Sequence, residues 1–73
     1  MNLDQIKKNA PDSAKFYHTN SKKYVKNIRF NDHESDIADG YIYAYDFFEN
    51  KKWNGCVCKP KTLFNLVNLK PRF

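Results

Sequence analysis

The stretch Tyr41-Ile42-Tyr43-Ala44-Tyr45-Asp46-Phe47-Phe48 decides how the rest of the chain is read. Tyr41, Tyr43, Tyr45 and Phe47 alternate with Ile42, Ala44, Asp46 and Phe48, so a strand here is apolar or aromatic on both faces. A strand of that kind belongs inside a sheet, with neighbours on each side. The expectation is that residues 41–48 lie buried in mid-sheet.

Working outward, Glu49-Asn50-Lys51-Lys52 has the form of a hairpin turn, and residues 52–58 make a return strand with Gly55 as a candidate bulge. Asn54-Gly55 is a competing turn signal that would shift the register. On the other side, residues 31–40 (Asn-Asp-His-Glu-Ser-Asp-Ile-Ala-Asp-Gly) read as an acidic loop pinned to the core by Ile37. Residues 23–30 read as a strand whose core face is Tyr24, Ile28 and Phe30 together with Lys26. Residues 14–19 read as a further strand, joined to it through the Asn20-Ser21 turn. Asn2 and Gln5 have capping-box spacing ahead of a short helix over residues 3–9, which Pro11 ends. Beyond Pro60, residues 62–69 fit helical spacing: Leu63, Leu66 and Val67 form a stripe, Thr62 stands at the N-cap and Pro71 follows the end. The predicted fold is α+β, a single domain over residues 1–73. It is an antiparallel meander of about four strands with a short N-terminal helix and a short C-terminal helix.

Composition bounds the function. A chain of 73 residues supports one small core, and its 16% aromatic content must supply much of the burial. Cys56 and Cys58 are the only cysteines, too few and too close for a disulfide framework of the secreted kind. The N-terminus has no apolar signal region and no run is long enough to span a membrane, so the reading is cytoplasmic with no membrane partner. The net charge of +5 is unevenly placed. Residues 1–30 hold seven Lys/Arg and two Asp, residues 31–50 hold six Asp/Glu and no base, and residues 51–73 hold six Lys/Arg and no acid. The blocks either present separate basic and acidic surfaces or pair with one another in the fold.

Few residues suggest chemistry. Asp32, Glu34 and Asp36 begin like a calcium loop, but Ile37 and Tyr43 stand where that loop needs Gly and a bidentate Glu. Cys56, Cys58, His18 and His33 lack zinc-ligand spacing, and the reading is that no metal or other cofactor is needed. Ser13, Ser21 and Ser35 sit in no nucleophile motif, and two glycines make no phosphate loop. The expectation is therefore a protein that is not an enzyme. What remains is a basic and aromatic set: Lys22, Lys23, Lys26, Arg29, Lys51, Lys52 and Trp53, with Tyr41, Tyr43 and Tyr45. Aromatic rings stack on bases and cations hold phosphates, so this set is the candidate partner-binding surface. The alternative is that the tyrosines are core residues with their hydroxyls at the rim.

The opening Asn9-Ala10-Pro11-Asp12-Ser13-Ala14-Lys15-Phe16-Tyr17 resembles the start of small tailed-phage proteins, in which an Ala-Pro-acid-Gly-Ala run leads into Tyr- and Trp-rich strands. Gly40-Tyr41-Ile42-Tyr43 and Asn50-Lys51-Lys52-Trp53 are similar to the later strands, while Ser13 stands where that pattern has Gly. Eleven Lys and nine Asn, against Arg only at 29 and 72, fit an AT-rich phage genome. The resemblance implies a phage-encoded inhibitor or accessory factor of the host-takeover or anti-defence type. Such a protein occupies a site on a host protein or protein–nucleic acid complex in the host cytoplasm. The alternative function is a small basic protein that binds single-stranded nucleic acid.

Overall fold

A computed structural model gives the structure of residues 2–69. Helix α1 is Leu3–Lys8, β1 is Phe16–His18, β2 is Lys23–Phe30, α2 is Glu34–Ala38, β3 is Tyr43–Glu49 and β4 is Lys52–Cys58; a 3-10 helix, Pro60–Asn65, then leads into β5, Leu66–Asn68. The five strands form one sheet in the order β4-β3-β2-β1-β5, with every neighbouring pair antiparallel. The first four strands are the expected meander, and the architecture is broadly α+β. Among the described residues no helix is long and apolar enough to cross a membrane.

The fifth strand corrects the expected four, and it replaces the expected C-terminal helix. Residues 62–69 divide between the 3-10 helix and β5, and the N-cap falls at Lys59 and not at Thr62; Pro71 lies outside the described residues. Two requirements favour the strand. An eight-residue amphipathic stripe makes a marginal helix, and β1 would otherwise leave its outer backbone groups unpaired. Leu66, Val67 and Asn68 pair with His18, Tyr17 and Phe16. Thr19 N–H to the Asn65 carbonyl (3.2 Å) and Leu69 N–H to the Lys15 carbonyl (2.9 Å) extend the seam at both ends. The 3-10 helix carries the chain from one edge of the sheet to the other.

Helix α1 begins as its sequence requires, with Asn2 Oδ1 accepting from the Gln5 backbone N–H at 2.9 Å. Six residues cannot hold a helix alone. Ile6 packs instead with Tyr17 and Leu69, with Ala10, Ala14 and Tyr24 around them, and the Tyr24 hydroxyl donates to the Ile6 carbonyl at 2.8 Å. This fixes one side of the sheet as the helix face. On the opposite face the 3-10 helix is tied to His18, whose Nε2 donates to the Thr62 carbonyl at 3.2 Å. His18 Nδ1 then accepts from the Ser21 backbone N–H and hydroxyl, so this buried histidine is fully satisfied.

Strand β2 does not keep one face. Val25, not Tyr24, Ile28 or Phe30, is the residue with 0% exposure, while Phe30 is 76% exposed. The register slips between Lys26 and Arg29, because Asn27 adopts a left-handed φ of 55° and adds one residue to the strand. Asparagine tolerates that conformation. The Asn27 side chain donates to Asp46 Oδ2 at 2.9 Å, and Arg29 donates to the Asn27 carbonyl at 2.7 Å, which holds the bulge closed. Lys26 and Arg29 therefore both lie on the helix face, and Phe30 turns to the opposite one. The bulge expected at Gly55 is absent: β3 and β4 pair without a break, and Asn54-Gly55 lies within the strand.

Other boundaries move by a few residues. β1 covers 16–18 only, and the acidic segment folds into α2 in place of an open loop. Gly40 ends α2 at φ +94°, a conformation that favours glycine, with its N–H on the Ile37 carbonyl at 2.9 Å. Ile37, expected to reach the core, is 39% exposed. Tyr41 and Ile42 precede β3, and Ile42 is 37% exposed, so the expected burial of 41–48 holds for Ala44 but not for the start of the segment.

Candidate functional site

The β3–β4 hairpin turns through Asn50 and Lys51, both left-handed (φ 54° and 63°), which is the mirror-type turn that matches strand twist. Its two-residue length sets the register, Glu49 opposite Lys52 through to Tyr43 opposite Cys58. Phe48 therefore faces Trp53, and their rings meet edge-on with centroids 5.2 Å apart. Lys26 Nζ lies 4.4 Å from the centre of the Trp53 ring and 3.3 Å from Ser13 Oγ. Arg29 reaches Asp46 Oδ1 at 3.5 Å beside its bond to the bulge carbonyl. Half-buried Lys26, Trp53 and Asp46 and the exposed Arg29 thus form one polar and aromatic cluster on the helix face, beyond the part that α1 covers.

The six proposed cations do not make a single patch. Lys22 and Lys51 sit in turns at the same end of the sheet, with Lys23 and Lys52 one residue further along. Lys23 points to the opposite face from Lys26, because they differ by an odd number of residues before the bulge. Its Nζ bonds Glu49 Oε1 at 2.8 Å and lies 4.9 Å from the centre of the Phe47 ring. The charge blocks therefore pair in part: Asp46 and Glu49 from the acidic block take Arg29 and Lys23. Asp32, Glu34, Asp36 and Asp39 lie on the β2–β3 connection around α2, at the end of the sheet away from Lys22 and Lys51.

The tyrosines divide as well. Tyr43 stacks on exposed Phe30, with centroids 5.3 Å apart and planes inclined by 25°. Tyr45 shares that face across from Cys56, and burial, helped by its hydrogen bond to the thiol, pushes its hydroxyl well above the ordinary tyrosine range. Tyr41 lies outside the strand, with Lys59 Nζ 5.4 Å from its ring centre. Tyr43 and Tyr45 are half-buried, which fits neither a fully exposed stacking ladder nor a closed core.

Two features had no sequence motif. The first is a hollow of about 410 Å³ lined by Arg29, Asp32, His33, Ala44, Gly55 and Val57, among others. Its signal was the small residues Ala44 and Gly55 in otherwise bulky strands. The second is the outer edge of β4, beside which no strand lies among the described residues. Cys56 and Cys58 are free, and burial pushes both thiols above their ordinary value of 9.0, so they stay protonated near neutral pH and are poor nucleophiles. Among the described residues no three His, Cys, Asp or Glu side chains come together to hold a metal ion. No protein-family model, curated protein or solved structure matches this chain.

Proposed function

We propose that this chain is a non-catalytic binding protein, a phage-encoded inhibitor or accessory factor of the host-takeover or anti-defence type that occupies a site on a host macromolecule in the cytoplasm. The observation that carries the reading is the division of the sheet. Its β1–β2–β5 side holds the helix-covered core. The far half of β2 with β3 and β4 carries exposed Phe30, Lys51 and Lys52 beside the half-buried Tyr43, Lys26 and Trp53. Exposed aromatic side chains rimmed by charge are the composition of binding surfaces.

A second reading, a small single-stranded nucleic-acid-binding protein, is favoured by Lys23 beside Phe47 and Lys26 over Trp53, since such pairs can stack bases and hold phosphates. Affinity capture from a bacterial lysate, with and without nuclease, separates the two. A protein partner retained after nuclease, and lost with Trp53→Ala plus Lys51→Glu, supports the first reading. Material released by nuclease, with a steep fall of affinity in salt, supports the second.

A further inference from the structure

We propose that the open edge of β4 receives an extended acidic peptide segment of the partner protein, which adds to the sheet as a sixth strand beside β4. The inference rests on the protein-binding reading above and names the chemistry of the partner.

The hairpin register shows which backbone groups are available. Glu49 and Lys52 flank a two-residue turn, so they form a hydrogen-bonded pair, and bonded and non-bonded pairs then alternate along the ladder. Lys52, Asn54, Cys56 and Cys58 direct their N–H and C=O groups to β3. Trp53, Gly55 and Val57 direct theirs away from the sheet, where no strand follows among the described residues. An added strand would take up this unused row of donors and acceptors. No proline interrupts β4, its pairing with β3 is unbroken, and Gly55 leaves room on the helix face, where a Cβ would meet only Asp46 Oδ1, at 3.7 Å. Natural sheets commonly protect such an edge by a bulge, a proline or a covering element. Here the bulge lies two strands away, in β2.

Charge selects the occupant. Lys51 and Lys52 stand at one end of the edge and Lys59 and Lys61 just past the other, all exposed, with no acid from residue 50 to residue 69. Among the described residues the two ion pairs use Lys23 and Arg29, so these four lysines keep their charge for a partner. A second copy of the chain is disfavoured for the same reason. Antiparallel pairing of β4 with itself about Gly55 would set Lys51 and Lys52 of one copy beside Lys59 and Lys61 of the other. A nucleic acid would satisfy the lysines but has no ladder of amides to complete the edge.

The test is an amide-resolved titration of the full chain with a peptide of alternating Glu and Val, alongside its Ser-Val counterpart and oligo-dT. The Glu-Val peptide should bind, slow exchange at the Trp53, Gly55 and Val57 N–H groups, and outcompete the Ser-Val peptide. Val57→Pro removes one outward N–H at a position where an edge strand tolerates proline. It should keep the Asn54 and Cys56 amides protected while weakening the peptide on the order of tenfold. Lys51→Gln with Lys52→Gln, at exposed sites and with no like charge set against Glu49, should weaken the peptide by a similar factor and reduce its salt dependence, with the Asn54 and Cys56 amides still protected. Unchanged exchange at the three outward amides, equal binding by both peptides, protection of the edge by self-association without peptide, or oligo-dT alone binding would each overturn the proposal. Capture of a host protein that persists in Val57→Pro would overturn the edge while leaving the binding function standing.

Discussion

The two ends of β2 have similar compositions and opposite fates. At its start, Tyr24 and Val25 lie between α1 on one face and the 3-10 helix side on the other, and Val25 has no exposed surface. At its end, Phe30 is largely exposed and stacks on Tyr43. The same contrast runs across the sheet. The β1–β2–β5 side gathers Ile6, Tyr17, Tyr24 and Leu69 into a cluster under α1, while the β3–β4 side buries only Ala44 and Cys58 among its described apolar residues and otherwise carries half-open ring and cation contacts. What separates the sides is cover. Among the described residues α1 lies on one face and the 3-10 helix on the other, and strand hydrophobicity alone does not tell which residues they reach.

The largest expected effect contrasts two aromatics. Tyr17→Ala should cost about 3–5 kcal/mol, because it removes a buried ring that packs on Ile6, Leu69 and Tyr24. Phe30→Ala should change stability by no more than about 0.5 kcal/mol. Denaturant titration of both checks this, and equal losses would break the division into a covered and an open side. The boundary comes next. Asn27→Val forces a β-branched residue to φ 55° and should cost about 1–2 kcal/mol, whereas Asn27→Gly should recover most of the backbone part of that loss. Two equally stable variants would remove the bulge from the account. Tyr24→Phe deletes only the hydroxyl bond to the Ile6 carbonyl and should cost about 1 kcal/mol, with faster amide exchange confined to α1.

The smallest effect is a slope with pH. Burial raises the Cys56 and Cys58 thiols, so the unfolded chain ionises first as pH rises. Their contribution is complete below the ordinary thiol value of 9.0 and is lost as pH climbs through the folded values. Thermal melts should therefore fall in the alkaline range, and less steeply in Cys58→Ala than in the wild type once their different levels at neutral pH are matched. An identical slope would show that Cys58 ionises no later folded than unfolded.

The sequence was most informative where periodicity and punctuation agreed. β2 at 23–30 and β4 at 52–58 fall where their alternation places them, the Asn50-Lys51 turn joins β3 to β4, and Asn2 caps α1. Leu63, Leu66 and Val67 misled because their spacing suits a helix, while the deciding fact, the unpaired edge of β1, is tertiary. The faces of β2 misled because one left-handed residue reverses the alternation, and its only local mark is an asparagine in mid-strand. In the candidate site, the basic and aromatic set holds Lys26 and Trp53, which do meet, and Lys23, which strand parity sends to the other face. The β4 edge could not be read at all, since it depends on which strand lies outermost.

Residue-resolved amide exchange of the free protein tests the central claim, a β4 strand paired on one side and open on the other. Alternation is expected: slow exchange at Asn54, Cys56 and Cys58, which face β3, and fast exchange at Trp53, Gly55 and Val57, which face outward. Uniform protection along residues 53–58 would mean that the edge is already covered. Uniformly fast exchange would mean that the hairpin does not hold its register. Either result would rule out a β4 strand that is paired on one side and open on the other.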